Sequence, residues 1–268
     1  MTFVRLLKKY NPECMQTFFF HGFSAGGGAP LAPFAHELGL DMQDVVLLDL
    51  PGFSANTEAI DPEVLADPGA YLDMAEPGIM RQIRGDHIRI VAYSHGAIPA
   101  FLFAARHQDI VSQLVLICPA SSLHAFVSLL PRVMNGTARF VGLDHLLGIM
   151  RSRFLVDAMT LYGRKPYWTR QTLIERLRTR REESAQYNVN MFYLMRQLQV
   201  FQREYAEVHI DTVPTIILRT TDDEVIGRNS VQWFQSHIAH TKVVSMIGGH
   251  AVLAVAPRKA AQRLIKLL

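Results

Sequence analysis

What the chain has little of narrows its chemistry first. Cys14 and Cys118 are the 2 cysteines among 268 residues, and they stand in no metal or redox motif. Both read as small packed hydrophobes, and a reducing cytoplasm suits the chain better than a disulfide-stapled secreted fold. Charged residues make up 19% and the formal net charge is +3. That is too mild for nucleic acid, and neither an arginine-glycine nor an aromatic-interleaved basic repeat is present. No apolar run reaches the roughly 18 residues of a membrane span. Residues 1–10 place their lysines after a short apolar run, without a cleavable h-region. The expectation is a cytoplasmic protein, a monomer or homodimer, with no membrane or nucleic-acid partner. Internal repeats and low-complexity tracts are absent as well.

What is present is apolar sequence in alternating periods. At 49% hydrophobic, the chain is long enough for one large α/β domain with an insertion. Residues 3–10 could form an edge strand and 16–20 a buried one. A glycine-rich stretch, Gly26-Gly27-Gly28, leads into a helix with Pro30 in its first turn and Leu31, Phe34, Ala35 and Leu38 on one face. It carries neither the lysine-serine/threonine ending of a phosphate loop nor a dinucleotide fingerprint. Residues 44–50 are a continuous apolar run, the pattern of a strand in a central parallel sheet covered on both faces. Prolines 62, 68 and 77 divide residues 60–84 into one or two short helices. Strand and helix continue to alternate through 87–118, which is the doubly wound pattern.

At Pro119 the rhythm changes. From 121 to 211 helical spacing recurs without a convincing strand, as in Met191, Leu194, Met195 and Leu198. This predicts an inserted helical cap of about four helices. Residues 1–120 and 212–268 then form the core domain, whose sheet resumes at 214–218 and 242–247 before a closing helix over 258–268.

The turn Val91-Ala92-Tyr93-Ser94-His95-Gly96 joins a β-branched strand to an apolar helix. Small residues two before and two after Ser94 permit the sharp turn that exposes a serine hydroxyl at the sheet edge, a nucleophile elbow with Ala92 where glycine is commonest. The plain alternative is a serine that caps a helix. A catalytic serine needs a base in reach and a third group to orient that base. In a parallel sheet such groups gather at the carboxyl ends of strands. Past the strand at 214–218 comes Thr221-Asp222-Asp223-Glu224-Val225-Ile226-Gly227, and past the last strand Gly248-Gly249-His250. The order is Ser94, an aspartate, His250.

With His21-Gly22-Phe23 after the first long strand and Leu48-Asp49-Leu50-Pro51-Gly52-Phe53-Ser54 after the next, the chain resembles the α/β-hydrolase superfamily over nearly its whole length. The closest likeness is to the capped branch of small esterases, carbon–carbon bond hydrolases and lactonases. The resemblance implies an α/β-hydrolase fold, Ser94 as nucleophile and His250 as base and then acid. The superfamily's acid loop usually reads Gly-x-x-Asp-x-x-Val-Pro. Laid over this sequence it favours Asp223, with Asp222 the alternative and Glu224 third; Thr220 and Gly227 replace the usual glycine and proline. The alternative acid position used by some relatives after the strand ending at Cys118 offers no carboxylate in Pro119-Ala120-Ser121-Ser122. Oxyanion donors would be the main-chain N–H groups of Phe23 and His95.

Phe23, Ser24, Tyr93 and Phe126 are candidate pocket residues. His21 reads as structural, and His95 as serving through its N–H, its ring pointing away along the helix. His21, His95 and His250 have no zinc spacing, so neither metal nor cofactor is expected. Arg176 to Arg181 read as a solvated helix face, and cap arginines such as Arg151, Arg153 or Arg164 could meet an anionic substrate. The expected activity is hydrolysis of an ester, thioester or related small acyl substrate through an acyl-enzyme. Carbon–carbon bond hydrolysis, an acyl-transferring or cyclising reaction, and a non-catalytic binding homologue are the alternatives. Ser94 argues against haloalkane dehalogenases and epoxide hydrolases, which by resemblance carry aspartate at the elbow.

Overall fold

The computed structural model describes residues 15–24, 26–53, 60–122, 185–223, 225–227 and 229–268. Most of the expected cap, with Phe126, the three cap arginines and the basic run, lies outside them, as do the 3–10 segment, Cys14 and Glu224.

The described strands are β1 (Gln16–Phe20), β2 (Val45–Leu47), β3 (Ile88–Tyr93), β4 (Val111–Ile117), β5 (Thr215–Thr220) and β6 (Thr241–Met246). They form one sheet in the order β2-β1-β3-β4-β5-β6, with every pairing parallel. Its helices are α1 (Ala32–Glu37), α2 (Pro62–Ala66), α3 (Pro68–Met80), α4 (Ala97–Arg106), α5 (Ala185–Glu204), α6 (Asn229–His237), α7 (Val252–Val255) and α8 (Pro257–Leu264).

Side chains alternate across a strand, so each central strand feeds two cores. Phe18, Phe20, Ile90, Ala92, Leu114 and Leu116 pack with residues of α3, α4, α5 and α6. Phe19, Val91, Val115, Ile117, Ile216 and Leu218 pack on the other face with α1 and α8. Burial on both faces explains why these strands read as unbroken apolar runs.

Residues 44–50 enter the parallel sheet as expected, but in a shorter strand: β2 keeps three residues in the sheet, all partly exposed, and pairs with β1 among the described strands. Leu48 and Leu50 leave the strand and are buried from the turn that follows.

Pro62 and Pro68 start helices. Asp61 Oδ1 accepts from Glu63 N–H at 2.8 Å, and Asp67 Oδ1 from Ala70 N–H at 2.6 Å, each capping a helix with proline in its first turn. Pro77 lies inside α3, which continues to Met80. The glycine-rich loop folds on itself, with Gly27 N–H donating to the Ser24 carbonyl at 3.1 Å and Leu31 N–H to that of Gly28 at 2.9 Å.

Candidate active site

Ser94 ends β3 and begins a 3-10 turn that runs into α4. Its φ is +56°, the left-handed region that costs a side-chain-bearing residue about 1–3 kcal/mol. Small neighbours make this turn possible. Ala92 is fully buried between β1 and β4. A Cβ on Gly96 would stand 2.5 Å from both the His21 and Phe20 carbonyl oxygens, so the position admits only glycine. On the other side, a Cβ on Gly22 would stand 2.8 Å from Ser94 Cβ. The chain leading into Phe23 therefore runs directly against the serine.

Two loops complete the cluster. Ser94 Oγ lies 2.8 Å from His250 Nε2, and His250 Nδ1 lies 3.0 Å from Asp223 Oδ2. A carboxylate only accepts, so the neutral imidazole carries its proton on Nδ1 and Nε2 accepts the serine hydroxyl. Asp223 Oδ1 takes the N–H groups of Val225 at 3.0 Å and Ile226 at 2.9 Å. Burial pushes the Asp223 carboxyl upward, but the bond and charge of His250 and those two N–H groups hold it below its ordinary value. Asp222 is exposed, and among the described residues its side chain accepts only the neighbouring Thr221 hydroxyl, at 3.0 Å. The structure thus joins Ser94, His250 and Asp223 and leaves Asp222 outside.

The other expected site residues fall as follows. Phe23 stacks on His95 with ring centroids 4.6 Å apart and on Phe53 at 6.3 Å. Ser24 is half-buried in the turn it closes with Gly27. Tyr93 is turned toward the base: its hydroxyl donates to the His250 carbonyl at 2.6 Å and its ring stacks on the imidazole at 5.5 Å. Proximity of Tyr93 to Ser94 in sequence gave no sign of this.

His21 Nδ1–H donates to the Gly22 carbonyl at 2.7 Å, and Nε2 accepts Leu50 N–H at 3.2 Å, tying the loop after β1 to the turn after β2. The His95 ring does not simply point away along α4. It is buried against Phe23, and its Nε2–H donates to Gln197 Oε1 of α5 at 2.9 Å. Gln197 Nε2 in turn donates to the Leu65 carbonyl at 2.7 Å. Nothing at residue 197 marked it as a partner of the elbow, since a lone glutamine on a long helix carries no motif.

Both buried rings stay neutral well into the acid range. Burial takes His21 down to about 4 against the opposing Gly22 bond. It takes His95 to about 4 against the Gln197 bond, with His21 adding to the shift. Above the unfolded value near 6.5 neither state binds these protons, so nothing is lost. Below it the unfolded chain takes up protons that the native rings refuse, and each ring costs about 1.4 kcal/mol per pH unit until about pH 4. Calorimetry should show Tm falling steeply between pH 6.5 and 4.5, and His21→Asn should flatten that slope. A Tm independent of pH over this range would contradict neutral burial.

Cys118 was read as a packed hydrophobe. It is buried, but it also ends β4 with φ +45° and brings its thiol beside Asp223 and His250. Ser94 and Cys118 are the two non-glycine residues with positive φ among those described.

Comparison with known proteins agrees with this architecture. No curated protein matches the sequence. Solved structures do: a thermophilic esterase from Thermogutta terrifontis (TM-score 0.64, 18% identity, 94% of this chain and 89% of that one), and 2-hydroxy-6-oxo-6-phenylhexa-2,4-dienoate hydrolase from Rhodococcus sp. strain RHA1 (0.66, 13%, 96% and 91%). A membrane phospholipase A described as a bacterial virulence factor is a third (0.64, 22%, 94% and 77%). At such identities the likeness is one of fold. A sequence model described as alpha/beta hydrolase fold matches residues 18–257, and the chain belongs to that family.

Proposed function

We propose that the protein is a serine hydrolase that cleaves an ester, thioester or related small acyl substrate through an acyl-enzyme. The observation that carries this reading is the unbroken file from Ser94 Oγ through His250 to Asp223, at 2.8 and 3.0 Å, with the serine held in a strained turn. Ser94 Oγ attacks the acyl carbon as His250 Nε2 takes its proton. The imidazolium then protonates the leaving group, and Asp223 stabilises its charge. The developing oxyanion is received by main-chain N–H groups of Phe23 and His95. His95 lies in the 3-10 turn that leads into α4, where the first N–H groups have no carbonyl within the helix to meet. Water, deprotonated by His250, releases the acyl group. No cofactor enters. We take the 121–211 segment to be the part of the chain that sets the substrate. We place the enzyme in the cytoplasm, acting alone or as a homodimer.

The test is turnover of a panel of acyl esters and thioesters of varied chain length, with fluorophosphonate labelling in parallel. Labelling that disappears in Ser94→Ala supports the reading. A wild type that is neither labelled nor active on any panel member points to a binding homologue. The fold shared with the Rhodococcus dienoate hydrolase favours carbon–carbon cleavage as the second reading. A vinylogous diketone added to the panel separates the two, and an added alcohol or amine acceptor reveals acyl transfer.

Tyr93 acts in this scheme as a positioning residue. His250 stands on a loop, and the Tyr93 hydroxyl fixes that loop's main chain to the residue preceding the nucleophile. One such bond is worth about 1 kcal/mol, or roughly fivefold. Tyr93→Phe should lower kcat by about five- to tenfold with KM little changed, whereas a merely structural loss would lower Tm and leave kcat per folded molecule intact.

A further inference from the structure

The acyl chemistry leaves one buried nucleophile beside the triad unused. Cys118 is 2% exposed, and its Sγ lies 3.5 Å from Thr220 Oγ1. That sulfur, a carboxylate oxygen of Asp223 and a ring nitrogen of His250 all lie within 4.8 Å of one another. Sulfur, imidazole nitrogen and carboxylate oxygen form a donor set for zinc-like ions, bound at about 2.0–2.3 Å, which puts the donors of one tetrahedron roughly 3.3–3.8 Å apart. From separations of at most 4.8 Å, the donors would approach by about 1–1.5 Å at most to reach that spacing. A cavity of about 680 Å³ opens onto Cys118, Thr220, Asp222 and Asp223, which gives an ion its approach and a water its place as fourth ligand. Asp222 and Arg219 both line this cavity, so its charge is mixed.

We propose that Cys118, Asp223 and His250 bind one thiophilic divalent cation, Zn²⁺ or Cd²⁺, and that binding switches the enzyme off. Thiolate and carboxylate neutralise the dication, so the filled site buries no net charge. The Cys118 S–H bond breaks as sulfur binds the metal, and its proton leaves to solvent. His250 offers Nδ1, the nitrogen facing Asp223, once its proton has moved to Nε2. No electron is transferred. An imidazole protonated at Nε2 donates to Ser94 instead of accepting from it, so the serine keeps its proton and cannot attack. An unmetallated thiol is S–H at neutral pH, so capture releases a proton. The switch rests on the hydrolase reading; the capture does not.

The experiment uses the full chain with Cys14→Ser, which leaves Cys118 as the sole cysteine. Titration with Cd²⁺ should raise a thiolate-to-metal charge-transfer band that saturates at one ion per chain, with about one proton released per ion. Adding Cys118→Ala should abolish both. Zn²⁺ should slow fluorophosphonate labelling and turnover, and EDTA should restore them, while Mg²⁺, which prefers oxygen ligands, should do nothing. Referred to its own rate in EDTA, Cys118→Ala should need about 10–100-fold more Zn²⁺ for half-inhibition. No band with Cys14→Ser alone overturns the site. A band without slowing, or unchanged Zn²⁺ sensitivity in Cys118→Ala, overturns the switch. Should the chain hydrolyse nothing, the band and proton release still decide the binding.

Discussion

Ser94→Ala is expected to lower kcat by about four orders of magnitude or more while thermal unfolding stays near wild type. The turn that strains residue 94 is set by its surroundings, with Gly22 and Gly96 packed where no Cβ fits. Alanine meets the same φ of +56° that serine already tolerates. What is lost is one hydroxyl bond to His250. The oxyanion donors would survive, leaving only their residual rate enhancement over water. Steady-state kinetics on the best panel substrate, with circular dichroism to monitor folding, checks both halves. Turnover near wild type would place the chemistry elsewhere.

The second large effect separates two adjacent carboxylates. Asp223→Asn should cost about four orders of magnitude in kcat, and Asp222→Asn less than about threefold. The reason is directional. Asp223 Oδ1 is held by the N–H groups of Val225 and Ile226. An asparagine there keeps its carbonyl oxygen toward those donors and so turns its NH₂ toward His250 Nδ1. The imidazole must then accept at Nδ1 and carry its proton on Nε2, where it can no longer receive the proton of Ser94. The exposed Asp222 carboxylate accepts the Thr221 hydroxyl. Equal losses in the two variants would count against the assignment. Asp223 also contributes to acid stability. Its native value is depressed, so its stabilisation is present above the ordinary carboxylate range and is lost as pH falls through that lower native value.

The elbow was legible in the sequence because it is local: a β-branched strand, a serine between small residues and an apolar helix follow one another without interruption. The apolar runs of β1, β3, β4 and β5 were legible because burial on both faces leaves no polar alternation. Helix α6 went unread. Only Ser230 and Phe234 are fully buried along it, too few to mark a helical stripe. The run at 44–50 was read as a strand of the parallel sheet, in which Val45–Leu47 pair with β1. Tyr93 was named as a pocket residue; the bond of its hydroxyl to the His250 carbonyl, 157 positions away, was not legible.

By itself, then, the sequence determined the alternation of strand and helix, the sharp turn at Ser94, and the order serine, aspartate, histidine at successive strand ends. These follow from local sterics and hydrophobic period, which act between near neighbours in the chain. Tertiary structure alone decided which of two adjacent aspartates faces His250, that β2 pairs with β1, that Gln197 holds the His95 ring, and that the Cys118 thiol comes to lie beside the triad. Each of these depends on contacts between segments far apart in sequence, whose geometry is fixed only when the sheet assembles and both cores close around it.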